Sequence, residues 1–165
     1  MDFHIRQLEE KDLAIVEKVF SNMRPGIHKK RFEDQQRGNL MYLTAWDYQT
    51  LIGRIMIKWY GANDTKTPSI EQCPHLESLF VIAGYRGRGV GTKLMLYCEE
   101  LAREKGFSKI GLSVGDQNTT AHSLYTKLGY KNAGFTPYVI GDNFIDTGGA
   151  HQQWQETCRY FIKDI

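Results

Sequence analysis

The chain has 165 residues, enough for one domain that buries roughly 70% of the surface its unfolded form exposes and too few for two such cores. Apolar residues make up 41% and charged residues 24%, with 16 glycines and 4 prolines, so disordered, collagen-like and disulfide-scaffold compositions are excluded. A net charge of +2 exerts little long-range pull on a polyanion, which makes nucleic acid a poor default partner.

Asp2, Arg6, Glu9, Glu10, Lys11 and Asp12 interrupt the span where a secretory signal needs a continuous apolar core, so none is visible. The longest strongly apolar uncharged run, Ser78 to Tyr85, falls far short of the ~20 residues that cross a bilayer. A cytoplasmic protein without membrane contact is the expectation. Phe3 to Leu8 alternates as a strand, and Leu13, Val16, Val19 and Phe20 recur at helical spacing. Pro25-Gly26 stops that helix, and His28 to Arg37 reads as a short surface helix whose Lys29-Lys30-Arg31 cluster is solvated. Leu40 to Trp46 and Leu51 to Tyr60, separated by Asp47 to Thr50, form a hairpin. Arg54 and Lys58 alternate with Ile55, Ile57 and Trp59 in its second arm, so one face of that arm is expected to be partly wet.

Gly61 to Pro74 holds turn formers without periodicity and reads as a mobile loop before a strand at His75 to Val81. Val90, Leu94, Tyr97, Cys98, Leu101 and Ala102 mark an amphipathic helix ending at Lys105-Gly106. Lys109 to Val114 is a strand, and Asn118 to Leu128 is a second helix closed by Gly129. Tyr130 to Ala133 starts a strand, Gly134 to Gln153 follows no clear pattern, and Gln155 to Ile162 is a final strand. Cys73, Cys98 and Cys158 are odd in number and lack C-x-x-C spacing, which predicts reduced, buried thiols and no metal site.

The sharpest local signal is Tyr85-Arg86-Gly87-Arg88-Gly89-Val90-Gly91-Thr92, lying between a strand and the clearest helix. A helix N-terminus offers unpaired N–H groups and a partial positive charge, and glycines let an anion approach the backbone, so phosphate binding is predicted there. Walker A spacing is not met, because Thr92-Lys93 reverses the required order, and Gly87-x-Gly89-x-Gly91 is not G-x-G-x-x-G. A nucleoside triphosphatase and a Rossmann enzyme are therefore disfavoured.

The pattern Arg86-x-x-Gly89-x-Gly91 after a strand ending Leu-x-Val resembles the acyl-CoA pyrophosphate loop of the GNAT superfamily of N-acetyltransferases. Asn118-x-x-Ala121-x-x-Leu124-Tyr125-x-Lys127-x-Gly129-Tyr130 is similar to that family's second cofactor motif. Together they span residues 76 to 132, about a third of the chain, and Ala83-Gly84 departs from the proline many members carry. The resemblance implies one α/β (α+β) domain over residues 1–165. Its mixed, mostly antiparallel sheet would have about six or seven strands and about four helices, splayed at the cofactor cleft.

It further implies acetyl-CoA as co-substrate, with its pyrophosphate on the backbone of Arg86, Gly87, Arg88, Gly89, Val90, Gly91 and Thr92 and its pantetheine along Leu79 and Val81. The strand holding Tyr130 should then splay from that edge. Arg86 and Arg88 could add charge, and Asn118 could cap its helix or bond the pantetheine amide. Strand parity puts Glu77 on the face of Leu79 and Val81, where it could act as base, and the Leu79 N–H is the expected oxyanion donor. Tyr125 matches the motif tyrosine that lies beside the thioester sulfur and could protonate the leaving thiolate, while His75 and His122 are weaker options for proton transfer. No Cys–His nucleophile is recognisable, which favours direct transfer.

The acceptor is a small-molecule or peptide amine, and a homodimer stays open. Trp46, Trp59, Tyr138, Asp142, Asp146, Trp154 and Glu156 are the aromatics and acids that could form its pocket. A polyamine, an aminoglycoside-like amine, an amino acid and a peptide N-terminus are all admitted, as is a longer acyl donor. The competing readings are a non-catalytic acyl-CoA sensor and a nucleotide-binding kinase or reductase.

Overall fold

Alternation in the sequence becomes one mixed sheet in the computed structural model, which describes residues 2–165. Its strands are β1 (His4–Gln7), β2 (Leu40–Asp47), β3 (Thr50–Lys58), β4 (His75–Val81), β5 (Lys109–Gly115), β6 (Lys131–Asn132), β7 (Tyr138–Ile145) and β8 (His151–Asp164). The helices are α1 (Leu13–Val19), α2 (Ile27–Gln36), α3 (Val90–Glu104) and α4 (Thr119–Lys127), with 3-10 turns at Glu10–Asp12 and Ala83–Tyr85. The sheet runs β1-β2-β3-β4-β5-β8-β6, with β7 also pairing β8, and every described pairing is antiparallel except β4 with β5. No helix among the described residues is long and apolar enough to cross a membrane.

Period two in the central strands divides the core between two faces. Ile55 and Ile57 of β3 join Leu43, Ala45, Val90, Leu94, Met95 and Cys98 on the α3 side, whereas Met56 packs with Tyr42, Trp46, Val16 and Phe20 on the α1 side. Each large side chain so buried contributes roughly 1.5–3 kcal/mol. β3 is covered on both faces, so Arg54 is 5% exposed and the expected wet face does not exist there. A central strand flanked by helices has no solvent side. Gly53 is needed at this spot, since a Cβ would lie 3.0 Å from the Phe80 carbonyl and 3.3 Å from both Val90 and Leu94, which lets α3 sit close against the sheet.

Three further expectations are corrected. The sheet has eight strands, because residues 138–164 form a long two-stranded ribbon whose alternation is masked in the sequence by its exposed outer half. α2 is anchored by polar residues: His28 and Gln35 are buried, the Gln35 amide donating to the Leu8 carbonyl at 2.9 Å and its oxygen accepting from the Tyr42 N–H at 2.9 Å. Tyr130 lies outside any strand, β6 pairs with β8, and the strand that leaves the β4 edge is β5.

Candidate active site

β4 and β5 pair only at His75 with Gly111 and Leu76 with Leu112 before they separate. The Ile82 N–H donates to the Ile52 carbonyl at 3.0 Å, so antiparallel alternation turns the N–H and C=O of Val81 away from β3, toward the side β5 has vacated. The result is an open strand edge within the sheet.

That edge carries a kink. Arg54 opposes Phe80 while Met56 opposes Glu77, so Ser78 and Leu79 together face Ile55, and Ser78 has φ of 59°. A single inserted residue inverts the side-chain alternation beyond it. Leu79 and Val81 consequently point at α3, both about 4 Å from where a Gly91 Cβ would stand. Glu77 shares the opposite face with His75 and Phe80, which corrects the common face expected from parity. The Glu77 carboxylate is held by Lys58 Nζ at 2.9 Å and lies 3.9 Å from His75 Nε2.

At the end of β4 the 3-10 turn forms without proline, its Tyr85 N–H donating to Ile82 C=O at 2.9 Å, and Tyr85 Oη donates to Asp47 at 2.9 Å. Gly89 is the N-cap of α3 with φ of 81°, a conformation costly for residues with a Cβ. The first α-helical bond runs from Lys93 N–H to Gly89 C=O, so the amides of Val90, Gly91 and Thr92 precede the ladder and have no intrahelical acceptor. Added Cβ atoms at Gly87 or Gly89 would meet nothing within 4 Å, which leaves open space over the loop. Arg86 Nε donates to Val81 C=O at 2.8 Å and its guanidinium lies 5.4 Å from the Phe80 ring, so it braces the loop. Arg88 stands 5.5 Å from the Tyr85 ring. Asn118 caps α4 by accepting the Ala121 N–H at 3.1 Å on Oδ1, the first of its two expected roles.

A cavity of about 530 Å³ opens where the strands diverge, within the range of small-molecule sites. Tyr125, Leu79, Glu77, Ser113 and Met95 line it, together with Trp154 and Glu156 of the ribbon, Met23 and Arg31 from α2 and the loop before it, and Asp64 to Thr67. Burial pushes the Tyr125 phenol up to about 12, so it is a proton donor throughout the neutral range. His75 also lines the cavity, but burial drives it down to about 4 and keeps it neutral, with no partner for Nδ1 among the described residues. His122 packs edge-on against Phe161 and is not among the lining residues. Burial raises all three thiols, Cys158 to about 12, so none presents a thiolate.

Of the aromatics and acids expected around the acceptor, Trp154 and Glu156 reach the cavity. Tyr138 stands at its side, sharing a 2.7 Å hydrogen bond with Ser113. Trp46 and Trp59 are core residues, Asp142 is bound by Arg24, and Asp146 organises the turn between β7 and β8. Sequence reasoning missed Met23, Arg31 and Ser78. Met23 precedes, and Arg31 belongs to, a helix that looks uniformly polar, and the bulge at Ser78 leaves no local pattern.

A family model described as the Acetyltransferase (GNAT) family matches residues 7–130. The chain is 44% identical over 55 residues to a mouse thialysine N-epsilon-acetyltransferase, a match covering 33% of this chain and 32% of that protein; the curated relatives first matched are thus spanned over about a third of their length. An N-alpha-acetyltransferase of Saccharolobus solfataricus is 27% identical over 135 residues, 79% of this chain and 81% of the relative. Among solved structures, the PaiA N-acetyltransferase of Thermoplasma acidophilum in complex with coenzyme A superposes with a TM-score of 0.66 at 19% identity, covering 100% of both chains, which shows a shared fold.

Proposed function

The chain belongs to the GNAT acetyltransferase family, and from that premise we propose that it transfers an acetyl group from acetyl-CoA to a primary amine by direct attack in a ternary complex. The observation that carries this reading is the open edge of β4 running into the α3 N-terminus, a continuous row of main-chain donors and acceptors beside a cavity. The amides of Val90, Gly91 and Thr92 would hold the pyrophosphate, with the space over Gly87 and Gly89 admitting it. The Val81 N–H and the main chain of Leu79 would pair the pantetheine arm as an added strand, the Val81 carbonyl already accepting from Arg86 Nε.

Acetyl transfer needs a neutral amine, a donor to the carbonyl oxygen as charge develops, and a proton for the leaving thiolate. The N–H of Leu79, the second residue of the bulge, would serve as that donor. The phenol of Tyr125 lines the same cavity and hydrogen-bonds the thiolate, and their shared burial raises the basicity of that anion as it raises the phenol. Glu77 accepts the ammonium proton through water, since its pairing with Lys58 and its position on the other face of β4 keep it from the reacting end. A covalent acyl-enzyme is disfavoured by three buried, protonated cysteines.

Thermal unfolding with acetyl-CoA, ATP and NADPH in parallel, followed by thiol release across a panel of amines, tests this. Acetyl-CoA alone should raise the midpoint, by RT ln(1 + [L]/Kd), and at least one amine should release thiol. Stabilisation by ATP or NADPH without acetyl-CoA would overturn the reading.

A further inference from the structure

Two guanidinium groups meet beneath the β4 bulge with no carboxylate between them. Arg54 is buried, donates to Ser78 C=O at 3.1 Å, touches the Met23 sulfur at 3.0 Å and lies 4.7 Å from the Phe20 ring, and its Nε has no hydrogen-bond partner among the described residues. The hydroxyl and imidazole nearest it are neutral, and the Glu77 carboxylate, whose charge also reaches it, is paired with Lys58. Tyr42 Oη and His28 Nδ1 are bonded to each other at 2.9 Å, and burial pushes His28 down to about 4. Arg31 reaches the same place from α2, donating to Ser78 Oγ at 3.2 Å and contacting the same Met23 sulfur at 3.7 Å. Neither arginine is in an ion pair among the described residues. A cation taken out of water without a counter-charge, as Arg54 is, carries a cost that an anion placed nearby removes.

The carboxylates nearby are otherwise engaged. Glu77 is bound by Lys58, and Asp64 accepts the Thr67 hydroxyl at 2.8 Å and the amides of Lys66 and Thr67. Glu156 lines the cavity from β8, with β5 between that strand and β4. Met23, Arg31 and Ser78 line the cavity itself, so the positive pole opens into it. We propose that Arg31, backed by Arg54, binds an oxyanion of the acceptor, so that the substrate is a primary amine carrying a carboxylate or phosphonate in the same molecule; this rests on the acetyl-transfer reading above. Arg31 spends one donor on an oxygen of the chain, and its planar fork suits a bidentate oxyanion. Glu156 opposes the reverse orientation, in which its carboxylate would face that oxyanion.

The experiment uses linear ω-amino acids of increasing length, each paired with its carboxamide, together with an ω-aminoalkylphosphonate. Thiol release gives kcat/KM, and calorimetry on the protein with coenzyme A gives acceptor binding independently of turnover. The acid of at least one pair should exceed its amide by tenfold or more, mainly in KM. Arg31→Met should erase that ratio and Arg31→Lys should keep part of it, while coenzyme A affinity is unchanged. The phosphonate arm reveals which oxyanion is preferred. Equal turnover of acids and amides, or a ratio that survives in Arg31→Met, overturns the oxyanion site alone. Preferential binding of the acids, lost in Arg31→Met, with no thiol release from any amine supports the oxyanion site and overturns the transfer chemistry alone.

Discussion

Lowering the pH from 7 to 5 should destabilise this fold through two buried histidines. His28 and His75 are 0% and 3% exposed, and burial pushes each from its ordinary value near 6.5 down to about 4. Above pH ~6.5 both are neutral whether folded or not, and neither contributes to pH dependence. Between 6.5 and 4 the unfolded chain binds protons that the native state refuses, so stability falls as pH falls. At pH 5 the linkage relation gives about 2 kcal/mol per histidine, about 4 kcal/mol together. The lowered carboxyls of Asp12 and Asp64 act only below about pH 4, so they do not confuse the comparison. Urea unfolding at fixed ionic strength, followed by tryptophan fluorescence, measures the change. With a slope of about 2 kcal/mol per molar urea the midpoint should drop by about 2 M. His28→Asn should lower stability at pH 7, through the lost Tyr42 contact, yet halve the pH dependence. A midpoint that is the same at pH 5 and pH 7 would show that these imidazoles are not held neutral by burial.

Tyr125→Phe should lower kcat by about 10- to 100-fold with coenzyme A affinity within about twofold, checked by steady-state kinetics and calorimetry; an unchanged kcat removes the phenol as proton donor. Gly89→Glu forces a residue with a Cβ into φ of 81° and sets a negative charge at the α3 N-terminus, so coenzyme A binding should be lost in the same calorimetric assay. Lys163→Ala leaves the buried Glu99 carboxylate, now 2.7 Å from that ammonium and 3.0 Å from Tyr130 Oη, without its nearest cation. Arg103 stays 3.6 Å from that carboxylate, so the loss expected in denaturant unfolding at pH 7 is about 1–3 kcal/mol, short of that for a fully unpaired buried charge.

The parts legible in the sequence are those encoded by neighbours along the chain. α3 and α4 follow from apolar residues at helical spacing closed by Gly106 and Gly129, and the glycine-rich loop before α3 follows from Gly87 and Gly89, which take positive φ where a strand must turn into a helix. Tyr125 was identifiable because a helical period and a flanking motif fixed its place, and the structure puts it on the cavity wall. What escaped depends on partners far away in sequence. The bulge at Ser78 exists only in the register between β4 and β3, strands separated by residues 59–74, and it alone moves Glu77 to the other face. Arg54 looks like a surface residue until helices cover both sides of its strand, and Arg31 looks solvated until α2 docks over Ser78. Local stereochemistry is written in the order of the residues; which cation is stranded without a counter-charge, and which strand edge is left open, is decided only when distant segments pack.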